Sequence, residues 1–175
     1  MTIEQLRLLK NDSFSKTQDK FTVENLTKDP QALKLVKNQT IELCLAAVTA
    51  DGLTLRFVEN QTTEICLAAI KQDSDALRYV EKQTEDICLA AINTHQSSFI
   101  YVKNQTEAIC LAAVKRDGQL LRFVKEKTLE ICLAAVQENM SAIYYVPSAL
   151  IQPAVKELTV EEISEILGYE VKIVK

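Results

Sequence analysis

Hydrophobic positions recur along most of the chain with a fixed step of 22 residues. Each copy of the pattern holds a threonine, then the apolar string "CLAA", and later an apolar residue followed three positions on by valine. The step slips at no copy, as three sets of equivalent residues show: Thr40, Thr62, Thr84, Thr106 and Thr128; Cys44, Cys66, Cys88, Cys110 and Cys132; and Val36, Val58, Val80, Val102, Val124 and Val146. Such self-similarity predicts an array of repeated structural units.

The local chemistry of one unit predicts two short helices. Threonine is a good N-cap for the first helix, and an acid two residues later favours the positively charged helix end. The string that follows is apolar all round, so we expect this helix to be buried on more than one side. Asp51-Gly52 and Asp117-Gly118 are predicted to end it, because glycine adopts positive φ readily. The second helix carries an apolar residue and the recurring valine on one face; these apolar residues are Leu33, Leu55, Leu77, Phe99, Leu121 and Ile143.

The pattern therefore predicts an all-α protein, an α-solenoid of about five to six 22-residue helix–turn–helix repeats. We divide the chain into an N-terminal cap (1–28), the helical repeat array (29–146) and a C-terminal cap with a helix–strand tail (147–175). In the tail, Thr159-x-x-Glu162 predicts a helix that ends at Gly168. The alternating string "YEVKIV" then predicts one β-strand, which needs a partner strand.

Composition and charge narrow the range of functions. The chain has 47% apolar and 25% charged residues and a net charge of −4, so no overall positive field attracts nucleic acid or anionic lipid. No apolar run approaches the length that spans a bilayer, and the charged N-terminus does not resemble a signal peptide. We therefore expect a cytoplasmic protein, in a bacterial or host cytosol, with reduced thiols and no membrane contact. In that compartment the sequon at Asn38 carries no glycan.

The repeated strings "ALRYVEKQTEDICLAAI" and "LLRFVKEKTLEICLAAV" resemble a bacterial and viral family of tandem helical repeats of unknown function. The resemblance covers roughly residues 29–146, matches the whole unit, and implies a helical repeat without implying any activity or catalytic residue. The stretch "LTVEEISEILGYEVKIVK" resembles a short helix–strand tail found on small Firmicute and phage proteins.

Catalytic and metal-binding chemistry has little support in the sequence. There are one histidine and three glycines, and no motif of a nucleotide-binding loop, a zinc protease or a serine hydrolase. Equivalent cysteines on stacked units stand about 8–10 Å apart, too far for disulfides or for a shared zinc ion. We predict that the cysteines are buried structural residues, and that the protein is not an enzyme and has no cofactor and no metal site.

A basic column and an aromatic column run along the predicted second helices. The bases are Lys34, Arg56, Arg78 and Arg122, and the aromatic residues are Phe57, Tyr79, Tyr101, Phe123 and Tyr145. The fourth unit loses its base and its acid together, with Ile100 and Ala108, which favours salt bridges between each base and the acid eight residues later. The acids of the other units are Glu42, Glu64, Asp86 and Glu130. The alternative is a ladder that binds phosphates or an acidic peptide. For the aromatic rings, packing between repeats is favoured over stacking on nucleobases.

The candidate partner-binding residues lie where the repeat departs from its pattern. The fourth unit carries the single histidine, His95, which we interpret as a turn residue rather than a ligand. Exposed apolar residues beside arginine are typical of protein interfaces, with drift near the end of the array as the alternative. The candidate residues are His95, Ile100, Tyr101, Arg122, Tyr144 and Tyr145, with Tyr169, Val171 and Ile173 on the predicted strand.

These observations lead to a functional hypothesis of a non-enzymatic protein-binding scaffold or adaptor. Variable positions of a repeat array usually recognise the partner; here they are Thr49, Lys71, Asn93, Lys115 and Gln137, and Ala50, Gln72, Thr94, Arg116 and Glu138. The phage-like tail favours a phage or mobile-element protein that inhibits or redirects a host protein. The tail strand could also join two copies into a homodimer. The alternative function is a nucleic-acid-binding helical repeat that uses the Lys/Arg–aromatic ladder.

Overall fold

The computed structural model describes residues 21–151, and all regular structure within that range is helical. The predicted C-terminal helix and the strand "YEVKIV" lie outside the described residues, as do residues 1–20 of the predicted N-terminal cap. An all-α class is confirmed for the part of the chain that the structure describes. Its elements alternate strictly between α-helices and short 3₁₀ helices.

The α-helices are the first helices predicted for each unit. They are α1 (Val23–Lys28), α2 (Ile41–Ala50), α3 (Thr63–Gln72), α4 (Glu85–Thr94), α5 (Glu107–Val114), α6 (Leu129–Glu138) and α7 (Ser148–Ile151). Each recurring threonine is the N-cap, as predicted: its side-chain oxygen accepts a hydrogen bond from the backbone N–H three residues on, at 3.3–3.4 Å. Thr22 caps α1 in the same way, at 3.2 Å, so the degenerate string "FTVENL" starts a shortened unit.

The second element of each unit is a 3₁₀ helix of six residues. These are η1 (Pro30–Leu35), η2 (Gly52–Phe57), η3 (Ser74–Tyr79), η4 (Gln96–Tyr101), η5 (Gly118–Phe123) and η6 (Met140–Tyr145). A residue before each helix from η2 to η6 caps it: Asp51, Asp73, His95, Asp117 and Asn139 each accept a hydrogen bond from the backbone N–H two residues on. Asp29, before η1, makes no such side-chain bond. A 3₁₀ helix keeps an i, i+3 apolar pair on one side, which is why the pattern did not distinguish it from an α-helix.

The prediction that Gly52 and Gly118 adopt positive φ is wrong. Both are the first residues of a 3₁₀ helix, and neither has a left-handed backbone. A Cβ atom on Gly52 would lie 2.4 Å from the carbonyl oxygen of Ala69 in the next unit, and one on Gly118 would lie 2.3 Å from that of Ala135. Glycine is therefore required by the close approach of two units, and not by a turn.

The core is a set of columns that repeat with the 22-residue period. The alanines Ala47, Ala69, Ala91, Ala113 and Ala135 are fully buried, as are Leu33, Leu55, Leu77, Phe99 and Leu121 on the 3₁₀ helices. The five cysteines are buried and free, which confirms that they fill the interior as small apolar residues. From α1 to α6 each α-helix contacts the next one, and each 3₁₀ helix contacts the next 3₁₀ helix. The α-helices and the 3₁₀ helices thus form two neighbouring rows.

Glutamines join successive units through hydrogen bonds that the sequence did not suggest. Gln39, Gln61, Gln83 and Gln105, which precede the capping threonines, form what we call the glutamine bridges. The Gln83 amide nitrogen donates to the carbonyl oxygens of Leu77 and Tyr101, at 2.9 and 3.0 Å, and its oxygen accepts from the backbone N–H of Lys103 at 2.9 Å. The other three glutamines bond the equivalent groups of the next unit. The Asn-Gln-Thr string is therefore a connection between units as well as a turn.

Candidate functional site

The row of 3₁₀ helices presents one exposed residue per unit at the same position. This outer column consists of Lys34, Arg56, Arg78, Ile100, Arg122 and Tyr144, and all six residues are exposed. In η2 to η6 the next residue belongs to the aromatic column, in which Phe57, Tyr79, Tyr101 and Tyr145 are half-buried and Phe123 is exposed; in η1 it is the exposed Leu35. The two columns lie side by side, as the sequence predicted.

The predicted salt bridges between the basic column and the acids of the α-helices are wrong. Within residues 21–151, the ion pairs are Lys28 with Glu24 at 2.6 Å and Arg78 with Asp75 at 3.0 Å. Arg78 therefore pairs within its own 3₁₀ helix and not with Asp86. The joint loss of base and acid in the fourth unit was misleading, because the capping threonine starts a new helix between the two positions. The basic side chains contact other groups instead.

Arginines of the outer column lie over aromatic rings instead. The guanidinium carbon is 4.7 Å from the ring centre of Phe57 for Arg56, and 4.5 Å from that of Phe123 for Arg122. Arg78 lies between two rings, 5.5 Å from the centre of Tyr79 and 4.8 Å from that of Tyr101. These contacts hold the guanidinium groups against the rings. Arg56 also donates to the side-chain oxygen of Gln31 at 2.8 Å, and within residues 21–151 neither Arg56 nor Arg122 has an ion-pair partner.

The cluster around Arg78 joins the third and fourth units. The hydroxyl of Tyr101 is 3.4 Å from the Asp75 carboxylate, the same oxygen that pairs with Arg78. Tyr101 thus packs partly against the core, as the interpretation of the aromatic column as packing between repeats predicts. Its neighbour Ile100 is exposed. The candidate residues Ile100 and Tyr101 therefore have different roles in the same unit.

Apolar side chains are exposed along the C-terminal half of the row. Ile100 is 50% exposed and Tyr144 is 86% exposed in the outer column, and Phe123 is 41% exposed between them. Met140 and Ile143 extend this exposed region on η6. Ile143 occupies a column that is fully buried in the five preceding units, yet it is 39% exposed. The exposed apolar region was predicted at Ile100 and Tyr144; Phe123, Met140 and Ile143 were missed, because their columns read as packed positions.

His95 caps η4 in the place that aspartate or asparagine takes in the neighbouring units. Its Nδ1 accepts from the backbone N–H of Ser97 at 3.3 Å and lies 2.7 Å from the Ser97 hydroxyl. The side chain is exposed and precedes η4, at the end opposite Ile100. Its interpretation as a turn residue is therefore confirmed, and its local function is to cap a helix.

Charge is divided between the two rows. The 3₁₀ helices hold four bases (Lys34, Arg56, Arg78 and Arg122) and one acid, Asp75. The α-helices hold eight acids (Glu24, Glu42, Glu64, Glu85, Asp86, Glu107, Glu130 and Glu138) and two bases, Lys28 and Lys71. The capping Asp51, Asp73 and Asp117 each stand five residues before the outer column. The Gln31 amide links the Asp51 carboxylate, at 2.6 Å, to the Arg56 guanidinium, at 2.8 Å. Among the helices within residues 21–151, the 3₁₀ row thus has a positive net charge and the row of α-helices a negative one.

Two of the variable positions contribute to the connection between units. The side-chain oxygens of Gln72 and Glu138 accept hydrogen bonds from the backbone N–H groups of Gly52 and Gly118, each at 2.6 Å. Thr49 bonds the carbonyl oxygen of Leu45 in its own helix at 2.6 Å. A substitution at Gln72 or Glu138 therefore changes a hydrogen bond to the preceding unit.

The thiols are not activated. Burial raises the pKa of all five cysteines, and a nearby carboxylate raises it further for four of them, for example Glu59 beside Cys44. Within residues 21–151 no group of three or more histidine, cysteine or acidic side chains is placed to hold a metal ion. Depressions of about 370 and 170 Å³ lie between successive turns, lined at their base by Cys66 and Cys110. They are bordered by Glu, Lys, Asn and Thr side chains without a nucleophile–base pair.

No protein-family model, no curated protein and no solved structure matches the chain. The resemblance of the repeat to a bacterial and viral helical-repeat family therefore stays a prediction. None of the helices within residues 21–151 has the length and apolar character to cross a membrane.

The structure places six of the nine candidate residues and separates them into two groups. Ile100, Tyr101, Arg122, Tyr144 and Tyr145 lie on the row of 3₁₀ helices, on consecutive units that contact one another. His95 lies before η4, at the other end of that helix. Tyr169, Val171 and Ile173 are outside the described residues.

Proposed function

We propose that the protein is a non-enzymatic protein-binding scaffold, an α-solenoid whose row of 3₁₀ helices binds the partner. The observation that carries this proposal is the exposed apolar group Ile100, Phe123 and Tyr144 beside Arg122 on three consecutive units. Apolar, aromatic and arginine side chains that are exposed together are the composition of interface hot spots. A row of equivalent positions on stacked units is the surface that repeat proteins use for binding.

The proposal extends to a cellular role. In keeping with the resemblance of the tail, the protein is a phage or mobile-element factor that binds a host protein in the cytosol and inhibits or redirects it. The residues within 21–151 support a binding role over catalysis. The thiols are buried with raised pKa, the carboxylates of the α-helices are solvated, and His95 with Ser97 forms an exposed helix cap.

A capture experiment with matched variants tests the binding role. The full chain is immobilised, exposed to a lysate of a candidate host with and without nuclease, and the bound material is identified by mass spectrometry. We expect one set of proteins that survives nuclease treatment and that is lost, by at least about tenfold, when Ile100→Ser and Tyr144→Ser are combined. The control combines Glu64→Ser and Glu130→Ser, which changes two exposed side chains on the row of α-helices.

Two results would contradict the proposal. One is a bound set that the Ile100 and Tyr144 substitutions leave unchanged. The other is binding that disappears with nuclease, which would support the alternative of a nucleic-acid-binding repeat. The proposed homodimer through the C-terminal strand is tested separately, by the mass in solution of the chain that lacks residues 169–175. An unchanged mass would remove that part of the proposal.

A further inference from the structure

We infer that the row of 3₁₀ helices binds an extended acidic peptide in which every third side chain faces one unit of the array. This inference rests on the proposed function. Three observations carry it: the spacing of the outer column, its charge, and the two units at which the charge is replaced by an apolar group.

The spacing comes from the contacts between units. Neighbouring 3₁₀ helices are in contact, so the equivalent residues of the outer column are about 8–10 Å apart. A peptide in the polyproline II conformation advances by about 3.1 Å per residue with three residues per turn, so three residues span about 9 Å and every third side chain lies on the same face. A peptide that runs along the row therefore returns to the same environment at every third residue.

The charge of the column selects acidic side chains. Lys34, Arg56 and Arg122 have no ion-pair partner within residues 21–151. The guanidinium groups of Arg56 and Arg122 each lie over an aromatic ring, and Arg56 also donates to the side-chain oxygen of Gln31 at 2.8 Å. Because these groups are fixed before binding, a partner carboxylate gains charge-assisted hydrogen bonds at a reduced entropic cost. At Arg78 the gain is smaller, because Asp75 already neutralises that arginine.

The order of residues along the column gives the peptide a register. Read from the first unit, the column is basic at Lys34, Arg56 and Arg78, apolar at Ile100, basic at Arg122 and aromatic at Tyr144. The complementary peptide therefore has acid, acid, acid, apolar, acid and apolar residues at successive third positions. Its direction along the row follows from which of the two sequence orientations binds.

A synthetic peptide of this pattern is the probe. Aspartate stands at every third position, except that leucine faces Ile100 and phenylalanine faces Tyr144, with glycine and serine between them and a fluorophore at one end. Fluorescence anisotropy compares it, in both sequence directions, with a peptide of the same composition in scrambled order and with a single-stranded oligothymidine. We expect one direction of the patterned peptide to bind at least about tenfold more tightly than the scrambled one.

A charge exchange fixes the register. Arg122→Glu should weaken the patterned peptide by about tenfold, and a peptide with lysine in place of the facing aspartate should recover most of that loss. Lys28→Glu changes the net charge by the same amount on the row of α-helices, and it should leave binding within about twofold. Ile100→Lys should reverse the preference at the leucine position in favour of aspartate.

The outcomes separate this inference from the proposed function. Equal binding of patterned and scrambled peptides, or the absence of peptide binding, overturns the inference, whereas the capture of proteins that depends on Ile100 and Tyr144 would still support the proposed function. Binding of the oligothymidine alone, with a strong dependence on salt, overturns both.

Discussion

At the scale of single residues, His95 shows how a substitution in one unit alters a local cap. In the neighbouring units an aspartate or asparagine oxygen accepts from the backbone N–H two residues on at 2.9–3.0 Å, whereas the His95 ring nitrogen does so at 3.3 Å. The imidazole can accept only in its neutral form and only through the tautomer without a proton on Nδ1. The fourth unit is therefore capped less strongly than the units on either side.

We predict that His95→Asp stabilises the protein. A carboxylate accepts from the same N–H without a restriction on tautomer, and caps of this kind contribute about 0.5–1 kcal/mol. The free energy of unfolding from urea denaturation should rise by that amount, and Asp117→His, the reverse change one unit later, should lower it by a similar amount. A loss of stability in His95→Asp would mean that the exposed imidazole has a further contact of structural value.

The buried cysteines make stability depend on alkaline pH. Because burial and neighbouring carboxylates raise the pKa of the Cys110 thiol in the folded chain, the unfolded chain releases its proton at lower pH than the folded chain does. The stability that the protonated thiol contributes is fully present below the pKa of the unfolded chain, about 8.5. It is lost as the pH rises toward the higher pKa of the folded chain.

We therefore expect the free energy of unfolding to fall with pH above about 8.5, and to fall less steeply in Cys110→Ala. Cys132→Ala is the matched control. Next to Cys132, Lys127 lowers the thiol pKa and partly offsets burial, so this substitution should change the slope less. Urea denaturation at a series of pH values measures both slopes. Equal slopes in the wild type and Cys110→Ala would show that the thiols do not contribute to the pH dependence.

Residues whose role depends on near neighbours in sequence were predictable, and residues that act across units were not. Thr40 as an N-cap and Cys44 as a buried apolar residue follow from groups within one helix, and both are confirmed. Arg78 was assigned to Asp86 because the sequence records only their joint loss in the fourth unit. Of its actual contacts, Asp75 and Tyr79 lie in η3 itself, and the Tyr101 ring depends on how η3 and η4 lie against each other.

At the scale of elements, the glutamine bridges explain a departure from the pattern that the sequence left without a reason. Lys127 replaces glutamine in the fifth unit, and residue 147, whose N–H the glutamine oxygen would accept from, is proline. Proline has no N–H to donate. Lys127 instead donates to the carbonyl oxygen of Val124 at 2.9 Å. Lys127 and Pro147 thus end the series of bridges together.

We predict that Gln83→Ala destabilises the protein by about 2–3 kcal/mol. The substitution leaves the carbonyl oxygens of Leu77 and Tyr101 and the N–H of Lys103 without their partner in a half-buried turn. Lys127→Ala occupies the equivalent position and removes a single hydrogen bond, so its cost should be below about 1 kcal/mol. Urea denaturation of both variants gives the difference. Equal costs would mean that the bridges contribute little and that apolar packing alone joins the units.

The sequence predicted neither that the second helix of each unit is a 3₁₀ helix nor that the glutamine bridges form, and the physical reason is the same for both. A single unit does not determine either one: Leu77 and Val80 satisfy an α-helix and a 3₁₀ helix equally, and Gln83 bonds groups of the next unit. Gly52 was misread in the same way, because its constraint is the carbonyl oxygen of Ala69 in that next unit.

At the scale of the whole molecule, the contacts are local along the chain. Among residues 21–151, each element packs mainly against the elements of its own unit and of the adjacent units. Stability in such an array is approximately a sum of unit terms and of terms between neighbours. Each unit contributes one α-helix and one 3₁₀ helix, so a change in the number of units changes the length of both rows together. The two rows keep their opposite net charges over several units.

We therefore predict that the chain tolerates deletion of residues 85–106, one whole unit. Thr84 would then cap the helix of the fifth unit, and Gln83 would meet Phe123 and Lys125, the groups that Gln105 bonds now. Circular dichroism should show a folded helical protein, and the urea m-value should fall roughly in proportion to the lost surface. Deletion of residues 85–95 alone is the control, since it breaks the period and should prevent cooperative unfolding. If the whole-unit deletion also failed to unfold cooperatively, the units would not be interchangeable, and contacts beyond nearest neighbours would have to hold the fold together.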